Sequence, residues 1–226
     1  MMPRIRKLLA RKSTSSTVGM RRVSEHTRNP DAIQEDALRA MLNDDPNNER
    51  AFEALVRLVT KHLARGNETI DPLIPESTAT ALSQSDECEY MSTWALAEEL
   101  SGHPRAWFPL TELARLSLAQ DPAEALRRLN TAVARDESGR ALSRSLEILR
   151  GNGLHQEAYG LGLGHWVPFK HVPEAGVQLI RAALDAGRHE DAHKHLQELL
   201  AHTTNDDISA LDSELIATVK RTRLQQ

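Results

Sequence analysis

The stretches GNGLHQEA, residues 151–158, and DAGRHEDA, residues 185–192, each carry a glycine five residues before an alanine. Gly153 to Gly187 and Ala158 to Ala192 are both 34 residues apart, and one step earlier QDPAEA, residues 120–125, places Ala125 33 residues before Ala158. Three units at a near-constant interval of this size mark a structural repeat. Packing accounts for the residue types. A glycine ends the first helix of a pair without the steric penalty a Cβ would bring, and a small alanine early in the second helix lets the two backbones approach closely. A lone helix pair leaves an apolar face uncovered, so successive pairs must stack.

That repeat also decides how His189-Glu190-x-x-His193 is read. The letters match the helix of a zinc peptidase, but here Glu190 and Asp191 favour a helix N-terminus and Ala192 is the packing alanine. The charged Asp191 between the histidines departs from the peptidase pattern, and Leu199 stands where a third histidine ligand would fall. A motif of this kind needs its structural context, so no metal site is expected, and no cofactor. The glycines of GLGLGHW, residues 160–166, follow a helix and precede Pro168, whereas a dinucleotide loop follows a strand and opens a helix; close helix packing is the expected role. No G-x-S-x-G turn is present to expose a nucleophile, and the acidic neighbours of Cys88, namely Asp86, Glu87 and Glu89, make it a poor one. No catalytic residue is assigned, and the chain is expected to be non-enzymatic.

Composition points the same way. Over 226 residues the apolar fraction is 40% and the aromatic fraction 4%, so Leu, Ala and Val must fill the core, as in packed helices. The single cysteine, Cys88, has no partner for an internal disulfide, and no apolar run reaches the length of a membrane span, so a soluble cytoplasmic protein is expected. The net charge of −4 conceals an asymmetry: residues 1–28 hold eight Lys or Arg against Glu25, giving +7, and the remainder carries −11. Residues 1–30 also contain the run STSST and no sustained apolar period, which predicts a disordered basic arm. A solvated tail is the first reading of it. Contact with nucleic acid or a ribosome is the alternative, weakened by the acidic body and the scarcity of aromatics.

From Asp31 onward apolar residues recur at helical intervals, beginning with Ile33, Ala37, Leu38, Met41 and Leu42. A second helix follows DDPNN and ends at Gly66. Residues 67–84, with Pro72 and Pro75 and no convincing period, read as a long surface loop. Helices resume and continue to a C-terminal capping helix over about residues 206–224. No segment alternates with period two, so the fold class is all-α over residues 31–226.

A helix-turn-helix interval of 34 residues with G-x-x-x-x-A at the hairpin resembles the tetratricopeptide repeat family, from about Asp45 to Thr203. DPNNERAFEALVRLV and HPRAWFPLTELARL are similar to the opening of that family's first helix: Phe52 and Trp107 stand at its aromatic position, and Leu55 and Leu110 three residues on. Leu142 replaces the usual aromatic in the third unit and Gly176 in the fourth. The resemblance implies a right-handed α-solenoid of stacked hairpins that binds another protein or peptide along a concave groove lined by first helices. Arg57, Lys61, Arg105, Arg115, Arg140 and Arg181 lie on or just before such helices, and spaced cations there would suit an acidic segment through charge-assisted hydrogen bonds. Arg128, on a second helix, is expected to face outward.

Overall fold

The computed structural model describes residues 30–67 and 78–202 and the positions 215 and 217. Among them lie nine helices: α1 (Pro30–Asp44), α2 (Glu49–Asn67), α3 (Thr78–Ser101), α4 (Phe108–Ser117), α5 (Pro122–Arg135), α6 (Arg140–Gly151), α7 (His155–His165), α8 (Pro173–Asp185) and α9 (His189–His202). No strand occurs among the described residues, so the chain is all-α there. The loop expected over 67–84 does not hold at its ends, because α2 runs to Asn67 and α3 begins at Thr78, and residues 68–77 lie outside the described residues. Residues 78–84, TATALSQ, hold no Gly or Pro and include Ala and Leu, the stronger helix formers. The weak periodicity there hid a helix that local propensity favours. The basic arm lies outside the described residues, as does most of the expected capping helix. Its two described positions, Leu215 and Ala217, are helical, and Leu215 is buried in the C-terminal core.

The repeat appears as repeated geometry. Gly153 and Gly187 have φ of 76° and 74°, the left-handed region where a side chain is strained. Each closes its helix in the same way. Gly153 N–H donates to Arg150 O at 3.0 Å and Leu154 N–H to Leu149 O at 2.9 Å; Gly187 N–H donates to Leu184 O at 2.9 Å and Arg188 N–H to Ala183 O at 2.8 Å. This paired bonding satisfies the otherwise orphaned carbonyls of a helix end. Ala125, Ala158 and Ala192 are all fully buried, as close helix approach requires. Gly176 is also explained: a Cβ there would come within 3.0 Å of Trp166 Cζ2 and 2.9 Å of Leu199 Cδ1. The indole of the preceding unit thus fills the space that an aromatic at position 176 would occupy.

Every helix packs on its chain neighbour, and the first helices of successive hairpins also touch, α4 on α6 and α6 on α8. Two apolar clusters result. One joins Leu42, Phe52, Leu55, Leu96 and Phe108; the other runs from Ala114 through Leu146, Leu179 and Leu196 to Leu215. Phe52 of α2 meets Phe108 of α4 edge to face, with centroids 5.3 Å apart at 82°. The partner of Phe52 is therefore Phe108. Trp107 precedes α4 as its N-cap residue and is not equivalent to Phe52, which lies inside α2. Proline at position 109 favours a helix start just before it, and this shortens the helix that PRAWF seemed to open.

Asn47 pins the turn before α2 to the turn before α4. Its Oδ1 accepts from Trp107 N at 2.7 Å and Phe108 N at 3.0 Å, and its Nδ2 donates to Arg105 O at 2.7 Å. The amide thus caps α4 from another helix pair, in a helix whose own N-cap residue supplies no side-chain bond. Asn47→Ala removes those bonds and is expected to cost about 1–2 kcal/mol, read as a lower urea midpoint at unchanged m-value. Arg135 plays a matching part at the end of α3, where its Nη1 lies 2.9–3.1 Å from the carbonyl oxygens of Ser101, His103 and Ala106.

Candidate protein-binding surface

The six cations singled out in the sequence have different surroundings. Arg57 is 70% exposed on α2 and lies 3.8 Å from Glu53 one turn back, with exposed Lys61 one turn on. Arg105 stands in the turn before α4, where its Nη2 donates to Asp44 O at 3.0 Å. Arg115 is held by Glu112, whose Oε2 accepts from its Nε at 3.0 Å and its Nη2 at 2.8 Å. Arg140 is exposed at the first position of α6, and Arg181 is half-buried on α8 and already engaged. Carboxylates on their own helices thus neutralise Arg57 and Arg115 in part, at the i−4 and i−3 spacings that bring helical side chains together.

Glu112 organises this region. Its side chain is only 6% exposed, and Arg144 of the next first helix donates to its Oε1 at 2.6 Å. A buried carboxylate is tolerated where charge-assisted bonds satisfy both oxygens, and here Arg115 and Arg144 do so. The Arg144 guanidinium also lies 4.8 Å from the centroid of Phe108, a favourable cation–π placement. One hairpin further on, Arg150 joins α6 to α8 through Gln178 Oε1 and Asp185 Oδ2, each at 2.7 Å. Polar links therefore run from first helix to first helix beside the apolar core.

Glu112 and Arg144, which meet between α4 and α6, are 32 residues apart. The same step carries Arg115 to Glu147, and the 34-residue interval carries Glu147 to Arg181. Glu147 is exposed. By these intervals Arg115, Glu147 and Arg181 fall at equivalent positions of α4, α6 and α8. Glu112, Arg144 and Glu147 were not anticipated, because their roles depend on a register between hairpins that composition does not reveal.

Arg128 does not face outward. It is 22% exposed, donates from Nη1 to Ser117 Oγ at 2.8 Å, pairs with Glu124 at 3.3 Å and lies 5.6 Å from the Trp94 ring centroid. A long side chain can fold its apolar stem back over its neighbours. The outward arginine beside it on α5 is Arg127, 71% exposed.

His189 is half-buried at the start of α9, with no hydrogen-bond partner at Nδ1, and His193 Nε2 lies 3.0 Å from Gln197 Nε2. Among the described residues no three His, Cys, Asp or Glu side chains are grouped to hold a metal ion. Of the glycines in GLGLGHW, Gly162 serves packing, since a Cβ would come within 2.6 Å of Leu179 Cδ1, whereas Gly160 and Gly164 face open space. Tyr159 links α7 to α9 by donating to Asp191 Oδ2 at 2.9 Å, and burial, with that bond, raises its hydroxyl pKa. Burial lowers the pKa of His171, against the opposing pull of Asp136. Trp107 is buried, and Trp94 and Trp166 are half-buried.

No family model, curated protein or solved structure matches the chain. Among the described residues no helix is long and apolar enough to cross a membrane.

Proposed function

We propose that the chain is a non-catalytic right-handed α-solenoid of tetratricopeptide type, which binds a segment of another protein along its first-helix face. The observation that carries this reading is the side-by-side contact of α4, α6 and α8, with Arg115, Glu147 and Arg181 at equivalent steps along it. Stacked repeats offer equivalent positions to one extended ligand. Neighbouring helices are spaced by about 10 Å, so Arg115 and Arg181 stand about 20 Å apart. An extended peptide advances about 3.3 Å per residue. The fitting ligand is therefore an acidic segment with carboxylates about six residues apart and a polar or basic residue between them to meet Glu147.

Selection from a displayed peptide library, followed by calorimetry with the purified chain, tests this. Selected peptides are expected to share that spacing. Arg115→Glu and Arg181→Glu should each weaken binding about tenfold, or about 1.4 kcal/mol, with the loss shrinking at high salt. Arg127→Glu, on a second helix, should leave affinity unchanged. Equal indifference to all three substitutions would remove the first-helix face from consideration.

A further inference from the structure

Helix α1 carries apolar residues beyond the face that it buries. Leu42 is buried and Leu38 half-buried, whereas Ile33 and Met41 are 51% and 47% exposed and Ala37 between them is exposed. Ile33, Ala37 and Met41 recur at i, i+4 and i+8, which aligns them in one stripe. A terminal helix of a stacked array ordinarily turns a polar face to water, and this stripe departs from that. It is bordered by exposed Asp36 and Asp44, and α1 holds four acids, Asp31, Glu35, Asp36 and Asp44, against Arg39. Arg39 is itself paired with Glu35 at 3.1 Å and Glu99 at 3.3 Å. Exposed Asp36 thus lies beside the stripe and exposed Asp44 at its C-terminal end, whereas Asp31 is paired with His62 at 3.2 Å.

We propose that this stripe is the docking site of the chain's own first twelve residues, MMPRIRKLLARK. That segment has five cations, Arg4, Arg6, Lys7, Arg11 and Lys12, and no acid. Its Ile5, Leu8 and Leu9 stand at i, i+3 and i+4, the spacing that forms one apolar helical face, and Pro3 is compatible with a first turn. Charge and pattern thus complement α1 at once. Reach agrees as well. The 17 residues from Ser13 to Asn29 can span at most about 60 Å, well beyond the length of about 22 Å that 15 helical residues occupy. Tethering at that distance sets an effective concentration on the order of millimolar, so weak contacts suffice. A second copy of the chain is the poorer occupant, because two α1 faces would bring their aspartates together. In place of a solvated tail, the arm becomes a strap over the end of the array. This holds whatever the first-helix face binds.

Hydrogen–deuterium exchange on the full chain, read by mass spectrometry, tests the proposal. Amides of residues 4–12 are expected to exchange about tenfold more slowly than in a free peptide of the same sequence. The double variant Ile33→Asp with Met41→Asp should restore the free-peptide rate, and Asp36→Lys with Asp44→Lys should reduce the protection and its sensitivity to salt. Leu163→Asp, at a residue 57% exposed on α7, should change nothing. Circular dichroism establishes that each variant is folded. Free exchange of residues 4–12 in the unaltered chain, or protection that survives Ile33→Asp with Met41→Asp, would overturn the docking. So would protection of residues 33–41 that rises with protein concentration while residues 4–12 exchange freely, since that would assign the stripe to a second copy.

Discussion

Phe108→Ala is expected to destabilise the chain by about 3–5 kcal/mol, the range for removing a buried aromatic ring from a packed core. The ring is 2% exposed and meets Phe52 at 5.3 Å and Trp107 at 5.9 Å, both edge to face. Its removal leaves the apolar contact between α2 and α4 without its centre. It also uncovers one side of the Arg144 guanidinium, which then keeps Glu112 as its acceptor but loses the aromatic face. Urea denaturation should report the loss as a lower midpoint with unchanged m-value. A double-mutant cycle separates the geometric claim from burial alone. Phe52→Leu and Phe108→Leu should couple by about 0.5–1.5 kcal/mol, as contacting aromatic pairs do, whereas Phe52→Leu and Trp107→Leu, which touch only through Phe108, should couple less. Coupling through Trp107 instead would mean that the tryptophan, as its place in HPRAWF suggests, is the true counterpart of Phe52.

That contrast shows where the sequence was legible. Spacing alone located Gly153, Gly187 and the three alanines, because a backbone with positive φ and a contact with no room for a side chain each restrict residue choice severely. The pairing of Arg57 with Glu53 and of Arg115 with Glu112 was equally readable, since i−4 and i−3 neighbours on a helix are fixed by its pitch. The place of Trp107 is not legible because an aromatic letter near a helix start does not say whether it lies before or after the first turn, and Pro109 decides that. The start of α3 is not legible because TATALSQ has helix propensity but little apolar periodicity. For Arg128, helical position does specify a face, but not whether a flexible stem folds inward to Ser117 and Trp94. The Glu112–Arg144 bond and the exposed stripe of α1 belong to a further level. Both depend on which helix surfaces neighbouring hairpins cover, and this is set by stacking.

Ala192→Leu and Ala158→Leu are each expected to cost about 1–3 kcal/mol through overpacking, while His189→Ala should change stability by less than about 0.5 kcal/mol, as half-exposed substitutions without a lost bond usually do. Both alanines are fully buried one repeat apart, directly after helix ends that close with the same bonding. Added methylenes there have no space to enter and must push α9 from α8, or α7 from α6. The imidazole of His189 lacks a hydrogen-bond partner at Nδ1, so its removal breaks no bond at that atom. The same variants decide between the two readings of His189-Glu190-x-x-His193. A zinc helix would invert the order of damage, and added zinc would raise the melting temperature of the unaltered chain but not of His189→Ala, because a ligand that binds only the folded state stabilises it. A repeat hairpin predicts no such zinc dependence, and alanines more sensitive than the histidine beside them.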